Sequence, residues 1–404
     1  MKTIYFTYVL VLLFVLGIKA KAIIENNDNE LIKKEEQEEM LLAENDSNDV
    51  VEVDNDVNLE DEVDSNVELE DDVDSNVELE DEVDSNVELE NEVDSSIEEE
   101  SKTPAAELVD TYEVALEFYE NYENIAKNIT YNNDGKTLDV YYNPADINTK
   151  KPVNIYIFGG SWVANDKVRF TRLGALLERE NYIGIIPDFA LYPNGLFEDM
   201  VDDVYQAIQW TYNNIEQYGG DKDNIILTGH SSGAHLAALT VIKAGLGLEN
   251  NRVKLEPLPY LKRVVLMNGP YIFNQEFIVY TLGGSTDTSN ATSTSDPEEQ
   301  ALLTELIGIY MNKDEVSPIQ ILKQYEDNSI INNFNVEKFI FVYCSEDKTI
   351  PEFSALQLID EITRTSQSPY EYINLQGLEH PSVINGIKTE KEEFEKIYMD
   401  IIRK

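Results

Sequence analysis

The chain has 404 residues, with 79 acidic side chains against 30 basic ones and a formal charge of −49. That balance argues against nucleic acid or an anionic membrane surface as a partner. A single cysteine excludes an intrachain disulfide framework, and no His/Cys cluster has metal-ligand spacing.

Residues 1–22 carry a lysine near the start, an almost wholly apolar run from Ile4 to Ile18, and Ala20-Lys21-Ala22. This is the pattern of a cleaved secretory signal, which predicts a secretory-pathway location and no stable membrane span after cleavage. The run is short for a span of about 20 residues; an uncleaved anchor is its other reading. Residues 23–102 form a second region, and 34 of the 79 acidic residues fall between 23 and 100. Asp61 to Glu70 returns as Asp71 to Glu80 and again as Asp81 to Glu90. Each copy offers two valines and one leucine, with no aromatic, glycine or proline. Such a segment cannot bury enough surface to offset its chain entropy, and its charges repel, so a disordered acidic tail is expected. Its candidate partners are basic molecules and, at low affinity, calcium; the EF-hand pattern is absent. Acceptor triplets for N-glycosylation begin at Asn45, Asn128 and Asn290.

From Thr103 to Lys404 the composition becomes that of a folded domain. Apolar runs at 137–142, 153–158, 183–187, 224–228, 263–267, 339–344 and 370–375 predict strands. Helical patterns near 166–180, 197–217, 232–245, 314–325, 353–365 and 390–403 lie between them. This alternation predicts an α/β fold, with a mostly parallel, doubly wound sheet covered on both faces. In such sheets the site lies at the carboxyl ends of the strands.

Four of those strand ends carry chemistry. The strand 153–158 runs into Gly159-Gly160-Ser161-Trp162, where paired glycines let backbone N–H groups approach a ligand. The strand 224–228 leads to Gly229-His230-Ser231-Ser232-Gly233 and then to a helix, a strand–turn–helix context that makes the stretch a nucleophile elbow. The strained turn admits only small residues two positions before and after its serine. Gly229 and Gly233 meet that need for Ser231 but not for Ser232. The N–H of Ser232, with Gly159 and Gly160, completes a candidate oxyanion hole. Residues 271–335 exceed an ordinary connection and predict a helical lid insertion. Its apolar members, including Phe273, Phe277, Ile278, Tyr280, Leu306 and Tyr310, either line an acyl pocket or form the lid's own core. The strand 339–344 ends in Ser345-Glu346-Asp347, where Asp347 is the candidate acid and Glu346 its rival. The base comes by elimination among three histidines. His230 adjoins the nucleophile on the strained turn, and His235 lies one helical turn on, pointing into the protein body. His380, in the loop after strand 370–375, remains. Cys344, at the end of an apolar strand, reads as a buried small side chain.

Residues 103–404 resemble α/β-hydrolase carboxylesterases, isoprenylcysteine carboxyl methylesterases foremost and kynurenine formamidase-type enzymes next. The resemblance rests on Gly159 to Trp162, Asp188 to Pro193, Asp199 to Asp203, Tyr218 to Asp221, Gly229 to His235, Glu346 to Pro351 and Gly377 to His380. Two positions depart from those relatives. Phe158 stands where many have histidine, and Ala190 where an arginine is expected. The resemblance implies a serine hydrolase for a small-molecule ester with an apolar acyl or alkyl group. Ser231, His380 and Asp347 form its triad, and it needs no metal or organic cofactor. A formamidase would use the same three residues. The different-class alternative is an inactive hydrolase fold used for binding.

Overall fold

A computed structural model describes residues 111–278, 280–281, 297–310 and 313–404. The expected signal segment 1–22, the acidic region 23–102, the triplets at Asn45 and Asn290 and the Ser/Thr-rich run ending at Asp296 lie outside those residues.

The described chain opens with helix α1 (Tyr112–Asn121), whose N-cap Thr111 accepts the Val114 N–H at 3.3 Å. The sheet strands are β1 (Ile125–Thr130), β2 (Thr137–Tyr141), β3 (Lys151–Ile157), β4 (Ile183–Pro187), β5 (Gly220–His230), β6 (Arg263–Met267), β7 (Phe339–Cys344) and β8 (Tyr370–Leu375). They form one eight-stranded sheet in the order β1-β2-β4-β3-β5-β6-β7-β8. From β4 to β8 every pairing is parallel; β1 and β2 add an antiparallel edge. Parallel strands covered on both faces need apolar side chains in both directions. Accordingly all six residues of β7 and all five of β4 are buried.

Two helical layers supply the cover. One joins α1 to α2 (Thr171–Arg179), α8 (Ser382–Lys388) and α9 (Glu392–Ile402). The other holds α3 (Phe197–Asn214), α4 (Ser232–Leu246), α6 (Pro318–Lys323) and α7 (Glu352–Ser366). Helix α4 lies wholly between sheet and neighbours, with every residue from Ser232 to Ala244 buried. A helix buried on all sides should lack an amphipathic stripe, and its sequence is apolar or small apart from His235 and Lys243, both of which are buried and hydrogen-bonded.

In the eight-stranded sheet and its covering helices three elements were not foreseen. Strand β1 is a half-exposed edge whose register shifts between Ala126 and Ile129, with Asn128 at φ 57°, so its apolar alternation is broken. Helix α1 carries three glutamates and buries only Ala115 and Tyr119, so its apolar face is narrow. Helix α8 reads as Ser-Val-Ile-Asn-Gly-Ile-Lys, a poor helix former by propensity. Packing overrides it: Val383, Ile384 and Ile387 are buried, and a Cβ at Gly386 would stand 2.1 Å from the Phe394 ring.

The stretch expected as a lid contains a helical turn at Gln275–Ile278, α5 (Pro297–Tyr310), a 3-10 turn at Asp314–Val316 and α6. Ser317 caps α6 by accepting the Gln320 N–H. Three of the six apolar residues named there are lid core. Tyr310 stacks on Phe197 at 4.5 Å, Phe273 packs edge-on against His235, and Leu306 is fully buried. Phe277 instead faces the recess described below.

Candidate active site

Strand β5 delivers Ser231 at φ 55° and ψ −126°, a left-handed setting that costs a non-glycine residue about 1–3 kcal/mol. The flanking glycines make the turn possible. A Cβ at Gly229 would lie 2.5 Å from the Gly233 carbonyl oxygen, and one at Gly233 would lie 2.1 Å from that of Ile157. The Ser231 N–H donates to the Met267 carbonyl at 2.8 Å, fastening the elbow to the neighbouring strand.

His380 follows β8 and places Nε2 2.9 Å from Ser231 Oγ. Its Nδ1 lies 2.6 Å from Asp347 Oδ2. The consistent tautomer has Nδ1–H donating to Asp347 and Nε2 accepting the serine hydroxyl proton. All three side chains are buried, with Asp347 3% exposed. Asp347 Oδ1 accepts the N–H groups of Thr349 (2.8 Å) and Ile350 (2.9 Å), and Oδ2 also accepts Asn268 Nδ2 at 2.6 Å. Burial acts to raise the Asp347 pKa. The His380 imidazole and these donors outweigh it and hold the carboxyl below its ordinary value. Glu346, the rival acid, is exposed, whereas Asp347 is buried and contacts His380.

The turns carrying Asp347 and His380 are stitched together. Ser345 N–H donates to the Leu375 carbonyl, Glu346 N–H to that of Leu378, and Gly377 N–H to Ser345 Oγ at 2.8 Å. His230 adds a further tie, donating Nε2–H to the His380 carbonyl at 3.0 Å. Burial, then the nearby His380 ring, lowers the His230 pKa to about 3, so it is neutral at physiological pH.

The glycine pair meets the elbow from β3. A Cβ on Gly159 would be 2.9 Å from Ser231 Cβ, so a side chain there would collide with that of Ser231. Gly160 has φ 146°, and Ser161 and Trp162 follow at φ 54° and 64°. Asn165 Nδ2 donates to the Gly159 carbonyl at 2.7 Å, fixing that peptide's orientation. Ser232 is the first residue of α4, where an N–H has no intrahelical acceptor and the helix dipole is positive.

Sequence reasoning left several supports unnamed. Trp162 Nε1–H donates to His235 Nδ1 at 3.1 Å, and His235 Nε2–H donates to the Val316 carbonyl at 2.8 Å. Burial lowers the His235 pKa to about 4, keeping it neutral in this relay. Tyr192 N–H donates to the Trp162 carbonyl at 2.9 Å, which explains how the Asp188 to Pro193 stretch bears on the site. Ala190, where an arginine was expected, is buried and gives its N–H to Asp203 Oδ2 at 2.7 Å. Asn268 gave no signal because its contact to Asp347 joins residues 79 apart. Cys344 is a free buried thiol, pushed up to about 12 by burial.

Two recesses flank Ser231. A cleft of about 700 Å³, mouth included, is lined by Gly159, Gly160, Asn165, Phe170, His380 and Lys388 among others. A smaller recess, about 280 Å³ with its mouth included, is lined by Trp162, Ser232, Pro270, Phe277, Leu303 and Ile350 among others. Among the described residues no group of three His, Cys, Asp or Glu could hold a metal, and no helix is long and apolar enough to cross a membrane.

The BD-FAE family model matches residues 138–358, just over half the chain. A probable isoprenylcysteine alpha-carbonyl methylesterase of Arabidopsis thaliana is 35% identical over 120 residues, which are 30% of this chain and 25% of that protein. Esterase LipC of Mycobacterium tuberculosis is 24% identical over 280 residues, 65% of this chain and 61% of that protein. The match thus spans about a quarter of the plant relative's length. Among solved structures, esterase B from Lactobacillus rhamnosis superposes with a TM-score of 0.52 at 17% identity, covering 70% of this chain and 85% of its own. An esterase of Pyrobaculum calidifontis gives 0.52 at 19% identity, covering 72% and 89%. These likenesses, with the sheet order, show an α/β-hydrolase fold.

Proposed function

The chain belongs to the BD-FAE family, and from that premise we propose that it is a carboxylic ester hydrolase working through Ser231, His380 and Asp347. The observation that carries the reading is the unbroken chain of hydrogen bonds from Ser231 Oγ through His380 to Asp347, at 2.9 and 2.6 Å.

In the first half-reaction Ser231 Oγ attacks the ester carbonyl carbon while His380 Nε2 takes the hydroxyl proton. Negative charge gathers on the carbonyl oxygen, where the N–H groups of Ser232 and the Gly159–Gly160 turn are the donors. Asp347 keeps the imidazole in the accepting tautomer and stabilises the imidazolium. The intermediate collapses, His380 returns the proton to the departing alkoxide, and an acyl-serine remains. Water, deprotonated by His380, attacks the acyl carbon, and the proton then passes back to Ser231 as the acid leaves. No step requires a metal or organic cofactor.

Direction within the site follows from that proton. The alcohol departs on the side of His380, which lines the larger cleft. The acyl group then occupies the smaller recess beside Ser232 and Trp162. Its modest volume and walls of Phe277, Leu303 and Ile350 favour a short apolar acyl group. The specificity named for the Arabidopsis relative is a second reading. It would put a bulky prenylated acyl group in that same recess, which the geometry favours less. The secretory route expected from residues 1–22 belongs to the same proposal.

The decisive variant is Ser231→Ala. It should cut kcat for 4-nitrophenyl acetate by about 10⁶, abolish labelling by a fluorophosphonate, and leave the circular dichroism spectrum unaltered. Undiminished turnover would end the proposal. Comparing acetate, butyrate and S-farnesylcysteine methyl ester separates the two specificities.

A further inference from the structure

The turn after β3 owes its tightness to two glycines, and the same two glycines expose it to a fault. A Cβ on Gly159 would stand 2.8 Å from the His230 carbonyl oxygen, and one on Gly160 would stand 2.3 Å from that of Ala164. Gly160 also has φ 146°. Larger residues are therefore shut out of both positions. A peptide between two glycines, however, turns over easily, because both neighbours accept either sign of φ. Turned over, the Gly159–Gly160 peptide would exchange its N–H for its carbonyl, and the proposed hole would offer oxygen to an oxyanion.

The backbone secures only the following peptide. The Gly160 carbonyl accepts the Val163 and Ala164 N–H groups, both at 3.0 Å. The Gly159 carbonyl is held by a side chain instead, Asn165 Nδ2 at 2.7 Å. In a planar trans peptide the C=O and N–H point in opposite directions, so fixing that oxygen aims the Gly160 N–H. Among the described residues nothing accepts this N–H. Phe158 gives the turn no polar support, because its ring stacks on Phe170 and Phe189 at 5.2 and 4.5 Å and offers no hydrogen bond. Asn165 itself has φ 83°, where glycine would sit without strain. An asparagine in that setting bears a backbone cost that its amide contact offsets.

We propose that Asn165 is a positioning residue that keeps the Gly159–Gly160 peptide from inverting and so holds the Gly160 N–H as an oxyanion donor. This role rests on the esterase reading above. Asn165 also lies on the wall of the larger cleft, so direct contact with the departing alcohol is the competing role. The two roles separate in kinetics. A positioning residue acts on the transition state whatever the alcohol, whereas an alcohol contact acts on binding and varies with the alcohol.

The test uses the full chain and Asn165→Gly, which removes the amide and relieves the backbone together, so the thermal midpoint should change little. The kcat for 4-nitrophenyl acetate should fall about ten- to a hundredfold with KM little changed. The kcat/KM should fall by the same factor for 4-nitrophenyl, 2-naphthyl and ethyl acetates. The inhibition constant of a trifluoromethyl ketone, whose adduct with Ser231 bears an oxyanion, should rise by that factor as well. Asn165→Asp keeps the shape but puts an acceptor where the donor was, and should lose at least as much. An unchanged kcat in Asn165→Gly, or in Asn165→Asp should the glycine variant prove unstable, overturns the proposal. A loss confined to KM, or one that varies with the alcohol, makes Asn165 a substrate contact and also overturns it; both results leave the esterase reading standing. Hydrolysis of no acetate by the wild type, with no fluorophosphonate labelling of Ser231, overturns the esterase reading and this role with it.

Discussion

Replacing Asn268 by glycine measures how much of the acid's position is set from β6. Asn268 has φ 48°, a setting glycine adopts without strain, so the substitution removes the amide and little else. Asp347 would keep the Thr349 and Ile350 N–H groups on Oδ1, while Oδ2 would retain the His380 partner alone. A hydrogen bond to a charged group contributes about 1.5–3 kcal/mol. The freer unfolded chain adds about 0.4–1 kcal/mol, so the expected loss at neutral pH is about 2–4 kcal/mol. The dependence on pH has a definite sign. The folded-state pKa of Asp347 is depressed, so its stabilisation is present above the unfolded value of about 3.9 and lost as pH falls through the folded one. Asn268 is one of the depressing groups. Its removal raises the folded value, and the stability curves of the two proteins converge in acid. Urea denaturation from neutral pH down to about pH 3 reads the gap directly. A gap under about 0.5 kcal/mol at neutral pH, or one that stays constant into acid, would refute the reasoning.

Gly233→Ala should destabilise the protein by at least about 2 kcal/mol, because the new methyl meets two backbone carbonyls, those of Ile157 at 2.1 Å and Phe158 at 2.5 Å, which cannot rotate away. An unchanged thermal midpoint would contradict this. His235→Gln bears on acid stability. His235 has its folded pKa lowered to about 4, so the stability it contributes is present above the unfolded value of about 6.5 and lost as pH falls towards 4. Glutamine can still accept from Trp162 and donate to Val316. The variant should therefore lose less stability than wild type over that window, and parallel curves would count against the assignment.

The central strands were legible because they are buried on both faces. Continuous apolar runs such as Phe339–Cys344 have no other plausible use, and the turns that follow them fall where the alternation put them. The elbow was legible for a steric reason. Only glycine fits at 229 and 233, and that pattern survives in a single sequence. Choosing between Glu346 and Asp347 was harder. Both stand in one turn, and what distinguishes them is burial and orientation towards His380, which are tertiary properties. Contacts such as Asn268–Asp347 and Trp162–His235 join elements distant in sequence, and no local periodicity encodes them. Helix α8 escaped notice because Val383, Ile384 and Ile387 favour strand by propensity and become helical through packing.

The hydrogen bonds joining Ser345 and Glu346 to Leu375, Gly377 and Leu378 make residues 345–380 a single mechanical part. His380 and Asp347 therefore cannot be exchanged one at a time between homologous scaffolds. A chimera that takes the histidine loop from one parent and the aspartate turn from another loses their shared register, whereas one that moves both, with β8 between them, carries the pairing intact.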